Sequence, residues 1–460
     1  MVTRRNFINT TALAGFATFS GIAASPERKD FVKKIAIQSV GSNFEREPLI
    51  RPFGFKGGYM TEIWQTANFI QSTSGTGKVG LCTQNVLWSD AAVFASHSES
   101  GGNALMYALT EHALQLIKGR TFTNPVELID DILEEVYQFG VKITSNTNLR
   151  KTFALNALVG VDNALWMLYA AENGIKNFDD MIPEKYRPAL SQHHKIVASI
   201  PLMAYSIPVT EIVSAVDSGY FFMKIKIGQP GTQDEMLAKD MERLSSIHKA
   251  IGHYRTPHTS TGKLPYYFDA NGRYEKKDTL LKLIDHAKKI GAFEQIAIIE
   301  EPFPEELQIN VSDIPVRLAA DESAHTDHDA ITRIEMGYKA IALKAIAKTL
   351  SMTMKIANVA KERNVPCFCA DLTVNPILVD WNKNVAARLD AFPGLGTGLL
   401  ETNGHQNYKN WSTMESYHPY SNAMWRKTQQ GVFNLDSDFY AKSGGILTDS
   451  DHYTELFKTK

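Results

Sequence analysis

Five ionisable residues, Lys226, Asp269, Glu300, Asp321 and Lys344, each stand at or near the C-terminal end of a short apolar run. The runs are YFFMKIKIG, PYYFDANG, IAIIEEP, VRLAADES and KAIALKAI, and helix-like segments separate them. Apolar runs of this length, bounded by turn residues, read as short buried strands. Strands that alternate with helices predict a βα barrel, in which the C-terminal strand ends converge on one mouth. Three carboxylates gathered there repel one another unless a cation or protons neutralise them. A lysine on either side makes the set suit a hard divalent cation flanked by two bases.

The first run also sets directions. With period two, Lys224 and Lys226 share a face with Phe222, while Met223, Ile225 and Ile227 share the other. The apolar outer face of a barrel strand packs under helices, so both ammonium groups are expected to look inward. The same parity puts Asp269 and Asn271 on one face. Taken alone, Lys-Ile-Lys also fits an edge strand with its lysines in water. The apolar surroundings and the four charged strand ends that follow in register favour the barrel interior.

Together, K-I-K at 224–226, D-A-N-G at 269–272, I-E-E-P at 299–302, A-D-E-S at 320–323 and L-K at 343–344 resemble the enolase superfamily, in its muconate-lactonising and mandelate-racemase-like branch. The resemblance runs from about residue 33 to at least residue 400. It implies a modified (β/α)7β TIM barrel behind an N-terminal α+β capping domain. It further implies Asp269, Glu300 and Asp321 as Mg²⁺ ligands, Lys226 and Lys344 as two general bases, and Lys224 as a holder of the substrate carboxylate. Glu301 and Glu322 adjoin the ligand positions. The implied partners are a small-molecule carboxylate and further copies of the chain in an even-numbered homo-oligomer.

Such a set serves to remove a proton from the carbon next to a carboxylate. That acid is too weak for lysine unless the enediolate is stabilised where its charge develops, by Mg²⁺ as Lewis acid with Lys224 beside it. A lysine base must be neutral, and its reference pKa is about 10.4. Crowding Lys224, Lys226 and a metal together is expected to lower it. A base on each face of the planar intermediate leads to racemisation or epimerisation. One working base and a β-leaving group lead instead to dehydration, and cycloisomerisation is a third outcome the family supports.

The chain departs from the family pattern in three places. Relatives commonly carry Lys-x-x-Lys and then Gly-Gly after the sixth strand, whereas here Lys344-Ala-Ile-Ala-Lys348 is followed by Thr-Leu-Ser, which predicts a differently built loop. The seventh strand, PCFCADLT, offers Cys369 and Asp371 and no histidine. The eighth, GTGLLETNGHQNY, offers Glu401, Asn403 and His405, and Glu401-Thr-Asn403 only half resembles the Asp-x-Asp of dipeptide epimerases. The expected substrate contacts are therefore Asn271, Glu322, Cys369, Asp371, Glu401 and Asn403, joined by Arg51 and Phe53 from the cap. Those two lie in FEREPLIRPFGFKGGYM, residues 44–60, whose cations, aromatics and glycines suit a lid loop. Its cations argue for a polar or second acidic group on the substrate. His325 and His328 read as surface histidines opening a helix.

Thr3-Arg4-Arg5-Asn6-Phe7-Ile8, followed by TALAGFATFSGIAA, looks like a twin-arginine export signal over residues 1–24, cleaved near Ala23 or Ala24. Its apolar run is too short and mild for a stable membrane span, so a periplasmic enzyme free of the membrane after cleavage is expected. The 460 residues are 44% hydrophobic with a formal charge of −2, which makes no electrostatic case for nucleic acid or anionic lipid. The three cysteines form no disulfide framework; Cys367 and Cys369 lie two apart on one strand.

The elements follow. Residues 33–195 are expected to form the capping domain, with KKIAIQSV, TEIWQTANFI and GKVGLCTQNVLW as strands. Helices follow them over NALMYALTEHALQLIKG, PVELIDDILEEVYQFG and LNALVGVDNALWMLYAAENG. The barrel is expected over 196–400, with long helices at 233–251, 277–290 and 350–364 and an inserted loop at 252–265. Residues 401–460 form a polar, aromatic segment expected to wrap back toward the cap. Two other functional classes fit parts of the pattern: a Schiff-base lyase, which leaves the carboxylates unexplained, and a non-catalytic exported binder of acidic sugars.

Overall fold

The computed structural model describes residues 32–55 and 58–458; the expected export signal and Lys56 of the lid segment lie outside the described residues. The cap opens with three long antiparallel strands, β1 (Ile35–Phe55), β2 (Gly58–Ser72) and β3 (Gly77–Gln84), and a short β4 (Thr121–Phe122), in the order β3-β2-β1-β4. The segment expected to be a lid loop is a strand hairpin instead. Phe53 pairs with Met60 and Phe55 with Gly58, so inter-strand hydrogen bonds hold most of it.

Helices Ala91–Ile117, Pro125–Thr144 and Lys151–Asn173 pack on that sheet. Asn124 caps the second by accepting from Val126 N, with Pro125 in the first turn, and Gly174 ends the third in the left-handed region. Among the described residues, Lys151–Asn173 is the one helix long and apolar enough to cross a membrane. It is nearly all buried, because Gly80 and Gly160 let β3 and the helix backbone touch. A Cβ on Gly80 would stand 2.1 Å from the Gly160 carbonyl.

The barrel strands are β5 (Ile196–Ile200), β6 (Leu202–Met203), β7 (Lys224–Lys226), β8 (Tyr266–Asp269), β9 (Ile296–Glu300), β10 (Leu318–Ala320), β11 (Ala340–Leu343), β12 (Cys367–Cys369) and β13 (Gly398–Glu401). β5 and β6 are halves of one strand broken at Pro201, which cannot donate to the ladder. One half pairs with β13 and the other with β7, so the parallel ladder closes into an eight-stranded barrel. Lys224 N donates to Pro201 O at the closing seam (3.0 Å). A hairpin that sequence analysis did not anticipate, β14 (Thr428–Gln429) with β15 (Val432–Asn434), pairs antiparallel with β5 and covers its other edge.

Helices at Val209–Asp217, Gln233–Ile251, Lys277–Lys289, Asp327–Glu335, Leu350–Glu362 and Pro376–Ala386 make six of the seven crossovers. The fourth, between β9 and β10, has only a 3₁₀ turn at Glu305–Leu307. Pro302, Pro304 and Pro315 deny it helical hydrogen bonds. The C-terminal segment touches the cap: Lys78 pairs with Asp449 (2.5 Å), His452 meets Glu45 (2.9 Å), and Phe457 stacks on Phe69 (5.6 Å). All three cysteines are free and buried.

Cap and barrel are also joined by a buried acid. Asp162 of the Lys151–Asn173 helix accepts from Ser351 N (3.0 Å) and from the Ser351 hydroxyl, at the start of a barrel helix. Burial, only partly offset by these bonds, raises its carboxyl to about 7. The folded protein therefore holds a proton there that the unfolded chain releases near pH 4, so this group costs stability progressively as pH rises from about 4 to 7. Thermal unfolding followed across that range should show a shallower loss of melting temperature in Asp162→Asn than in the parent; identical pH profiles would refute the assignment.

Candidate functional site

Strand register brings the charges together. Lys226 pairs with Asp269, and Asp269 with Glu300, so all three share one face at successive positions around the barrel. Asp321 and Lys344 directly follow β10 and β11 on the same face. Beneath them Phe222, Tyr267 and Phe368 form an aromatic layer, with ring centroids 5.6 and 5.5 Å apart. The Tyr267 hydroxyl donates upward to Glu300.

Lys224 donates to Glu300 Oε1 (2.8 Å) and Glu401 Oε2 (3.1 Å), and its ammonium lies 3.0 Å from Asp269. Lys226 donates to Asp269 Oδ2 and Asn271 Oδ1, both at 2.6 Å. Lys344 donates to Asp321 Oδ2 (2.5 Å) under the ring of Trp88, 4.4 Å from its centroid. Asn271 Nδ2 bridges to Glu322 Oε1 (3.0 Å), leaving Glu322 Oε2 buried and unpartnered. Asp371 accepts from Asn403 N (2.7 Å), and Asn403 Nδ2 donates to Glu401 Oε1 (3.2 Å).

These contacts shift the pKa values of two of the lysines. Burial alone would lower Lys224, but Asp269, Glu300 and Glu401 outweigh it and hold the ammonium well above its ordinary range. Burial likewise opposes, and Asp321 overrides, at Lys344. Asp269 is the counterpart: Lys224 and Lys226 overcome its burial and hold it at about 2. Glu300 moves up instead, because burial and the neighbouring Asp269 and Asp321 exceed the help of Lys224. Burial and Glu401 raise Asp371 to about 7.

Most of the residues expected to touch substrate do meet in one cavity. Lys224, Lys226, Asp269, Asn271, Asp321, Glu322, Lys344, Asp371, Glu401 and Asn403 line it, and Phe53 closes it from the cap. Cys369 does not line it: Phe368 fills the barrel interior, so the alternating neighbour turns outward with Leu343 and Leu400, its register partners. Arg51 lines an adjoining cavity. His325 bonds Glu305 (3.0 Å), His328 is exposed and His405 faces Trp411, none of them in the charged cavity. Phe55, Met60, Asn85, Trp88, Leu202, Leu372 and Thr373 complete the lining. In sequence Trp88 and Met60 look like any core residues.

Lys348 was missed as a site residue. It is wholly buried and donates to Asp321 O (2.6 Å) and Ala324 O (3.0 Å), with its ammonium 3.5 Å from Asp321 Oδ1. The next residue, Thr349, takes φ 71°, ψ 152°, a conformation that suits glycine, and caps the following helix by accepting from Met352 N (3.0 Å). The chain thus keeps a glycine-like backbone without the glycine. Asn271, Glu301 and Thr373, at other strand ends around the mouth, also have positive φ.

An all-oxygen donor set fits a hard cation. Oxygens of Glu300, Asp321 and Glu322 lie within 4.8 Å of one another, all buried. Carboxylates also outnumber lysines here: Asp269, Glu300, Glu301, Asp321, Glu322, Asp371 and Glu401 against Lys224, Lys226, Lys344 and Lys348. Asp269, expected among the ligands, stands beside this compact trio and spends its charge on two lysines.

Residues 209–396 match the family model described as enolase C-terminal domain-like. In fold, those residues are similar to the enolase-type barrel. No curated protein matches the sequence. Among solved structures, an enolase-superfamily member from Listeria innocua is similar at 16% identity and TM-score 0.62, covering 93% of this chain and 98% of its own. A dipeptide epimerase from Enterococcus faecalis, solved with Mg and L-Leu-L-Tyr, is 16% identical with TM-score 0.58 over 81% of this chain and 92% of its own. The L-Ala-D/L-Glu epimerase from Bacillus subtilis is 15% identical with TM-score 0.58 over 82% and 92%. At such identities the likeness is one of fold, and the barrel of this chain carries its own version of the site.

Lys348→Met should show what that version depends on. It removes the donor to two buried carbonyls and a counter-charge of Asp321. The expected loss is about 3–5 kcal/mol, measured by urea unfolding; a loss within experimental error would mean the lysine is dispensable.

Proposed function

We propose that this protein is a Mg²⁺-dependent enzyme that removes the α-proton of a carboxylate substrate and returns it, giving racemisation or epimerisation. The observation that carries the reading is the placement of Lys226 and Lys344. β7 and β11 are four strands apart in an eight-stranded barrel, so the two ammonium groups approach the mouth from opposite sides. Both line the one cavity, with Asp269, Glu300 and Asp321 on the strands between them.

In this reading Glu300, Asp321 and Glu322 would hold the metal, Glu322 through its unpartnered Oε2, and the expected ligand Asp269 would join them by giving up a lysine contact. Mg²⁺ bound there supplies Lewis-acid stabilisation of the negative charge that develops on the substrate carboxylate. Lys224, on the same strand as Lys226, donates to that carboxylate and orients it. Lys226 and Lys344 stand on opposite sides of the α-carbon: the one that is neutral takes the α-proton from its face, and the other, as ammonium, delivers its own proton to the opposite face. Phe53, Phe55 and Trp88 exclude water, which strengthens these interactions. Dehydration and cycloisomerisation remain alternatives on the same half-reaction, and the exported acid-sugar binder is the alternative of another class.

The test is deuterium exchange in D₂O with Mg²⁺ and pooled acid sugars, N-acyl amino acids and dipeptides, read by mass spectrometry. The expected result is exchange into both stereoisomers of one substrate. Lys226→Ala and Lys344→Ala should each abolish exchange from one stereoisomer, by a factor of about 10²–10⁴. Glu300→Gln should abolish Mg²⁺ binding in calorimetry. No exchange across the pool, with Mg²⁺ bound, would move the binder ahead.

We also propose export to the periplasm, on Arg4-Arg5 and the small-residue apolar stretch after them. Cell fractionation should recover a shortened chain in the periplasm, dependent on Arg4 and Arg5; full-length protein confined to the cytoplasm would contradict it.

A further inference from the structure

The catalytic cavity is tight, about 40 Å³, whereas the one beside it is about 340 Å³, in the range that accepts part of a small ligand. The two share Phe53, Phe55 and Leu202, so a molecule held at the lysines reaches the larger space past those side chains. The same strand ends supply both. The end of β8 and the residues after it give Asp269 and Asn271 to the first and Arg273 to the second; the end of β13 and the residues after it give Glu401 and Asn403 to the first and Gln406 and Asn407 to the second.

Its chemistry differs from that of the charged mouth. Among the described residues, Arg51 from the cap and Arg273 from the barrel are its charged residues, and no Asp or Glu lines it. Neither guanidinium forms an ion pair among the described residues. Around them stand Phe53, Phe55, Tyr59 and Tyr205, apolar or planar surfaces. The wall is also firmly built. Arg243 donates to the carbonyls of Ala204 (2.9 Å), Tyr205 (3.4 Å) and Ile207 (3.2 Å), and the Tyr205 hydroxyl donates to Ile227 O (3.0 Å). Gln406 bonds both backbone groups of Leu202 (2.9 and 3.2 Å).

We infer that this cavity is the subsite for the distal end of the substrate, and that this end carries a second carboxylate, bound by Arg51 and Arg273. Guanidinium is the side chain best matched to a carboxylate, and two of them without acidic neighbours leave a positive field that a neutral or cationic tail would not satisfy. The substrate is then a dicarboxylate. Its reacting carboxylate lies at Lys224 and the acidic cluster, and its second, beyond an apolar or planar spacer, lies between cap and barrel. The inference rests on the proposed α-proton chemistry for the role of the first carboxylate, and on the cavity alone for the second.

The test uses the full chain with Mg²⁺ and two readouts. Calorimetry compares adipate with hexanoate, and deuterium exchange compares α-substituted acids in pairs that differ only in a distal carboxylate or amide, such as N-acetylglutamate and N-acetylglutamine. Adipate should bind at least about tenfold more tightly than hexanoate. Arg51→Gln, at an exposed position, and Arg273→Gln should each remove most of that preference while leaving hexanoate binding and the melting temperature unchanged. Equal binding of the two acids, or a preference that neither variant alters, overturns the inference. Exchange that ignores the distal group overturns it too, while leaving α-proton abstraction standing. Arginine-dependent adipate binding with no exchange from any acid supports the subsite and sinks the proton-transfer reading instead.

Discussion

The structure turns on the burial of lysines against carboxylates at the mouth of the barrel. A lone ammonium or carboxylate in that place would cost several kcal/mol or change its protonation, so none can be there without the others. Each lysine has its acid: Lys226 with Asp269, Lys224 with Asp269, Glu300 and Glu401, Lys344 and Lys348 with Asp321. The arrangement is nearly symmetric about Glu300 on β9, with an aspartate and then a lysine to either side. Glu300 has one lysine where each flanking aspartate has two, and burial with those aspartates beside it raises its carboxyl.

Everything around the cluster serves to place it and keep it dry. Parallel register puts successive strand ends level, and the Phe222, Tyr267 and Phe368 layer closes the barrel below. The cap contributes Phe53, Phe55, Met60, Asn85 and Trp88 above. Because that roof belongs to a different part of the chain, the contacts that fix it matter to the site although they lie far from it. Asp162 with Ser351, Trp166 Nε1 with the Ser351 hydroxyl (3.0 Å), and Gln65 with the Tyr408 hydroxyl (2.8 Å) are such contacts. Strained backbone at Asn271, Glu301, Thr349 and Thr373 persists because the packed strand below and the capped or hydrogen-bonded loop above leave it no alternative. Thr349 shows the trade within one residue: its side chain provides a helix cap at a position whose backbone would suit glycine.

Much of this was legible in the sequence. Period-two alternation determined that Lys224 and Lys226 face the same way as Phe222, and five charged strand ends in series determined a βα barrel with a charged mouth. Both follow from local chain geometry, which a sequence carries directly. What required tertiary structure was every question of which side chain meets which. The lid segment has the glycines and aromatics of a loop, yet pairing with β2 makes it a hairpin. Cys369 turns away from the pocket because Phe368 takes the interior, a choice between two apolar neighbours that strand periodicity alone does not make. Carboxylates on strands far apart in sequence hold Lys224 and Lys344 above the ordinary lysine range, through distances that no sequence pattern gives. Lys348 and Trp88 entered the site, and Glu322 joined the compact acidic group, only through packing. Residue types and spacing therefore determined the inventory of charges and the strand ends that carry them. The fold decided their partners, because electrostatic energies depend on distances of a few ångströms that only the closed barrel and its cap establish.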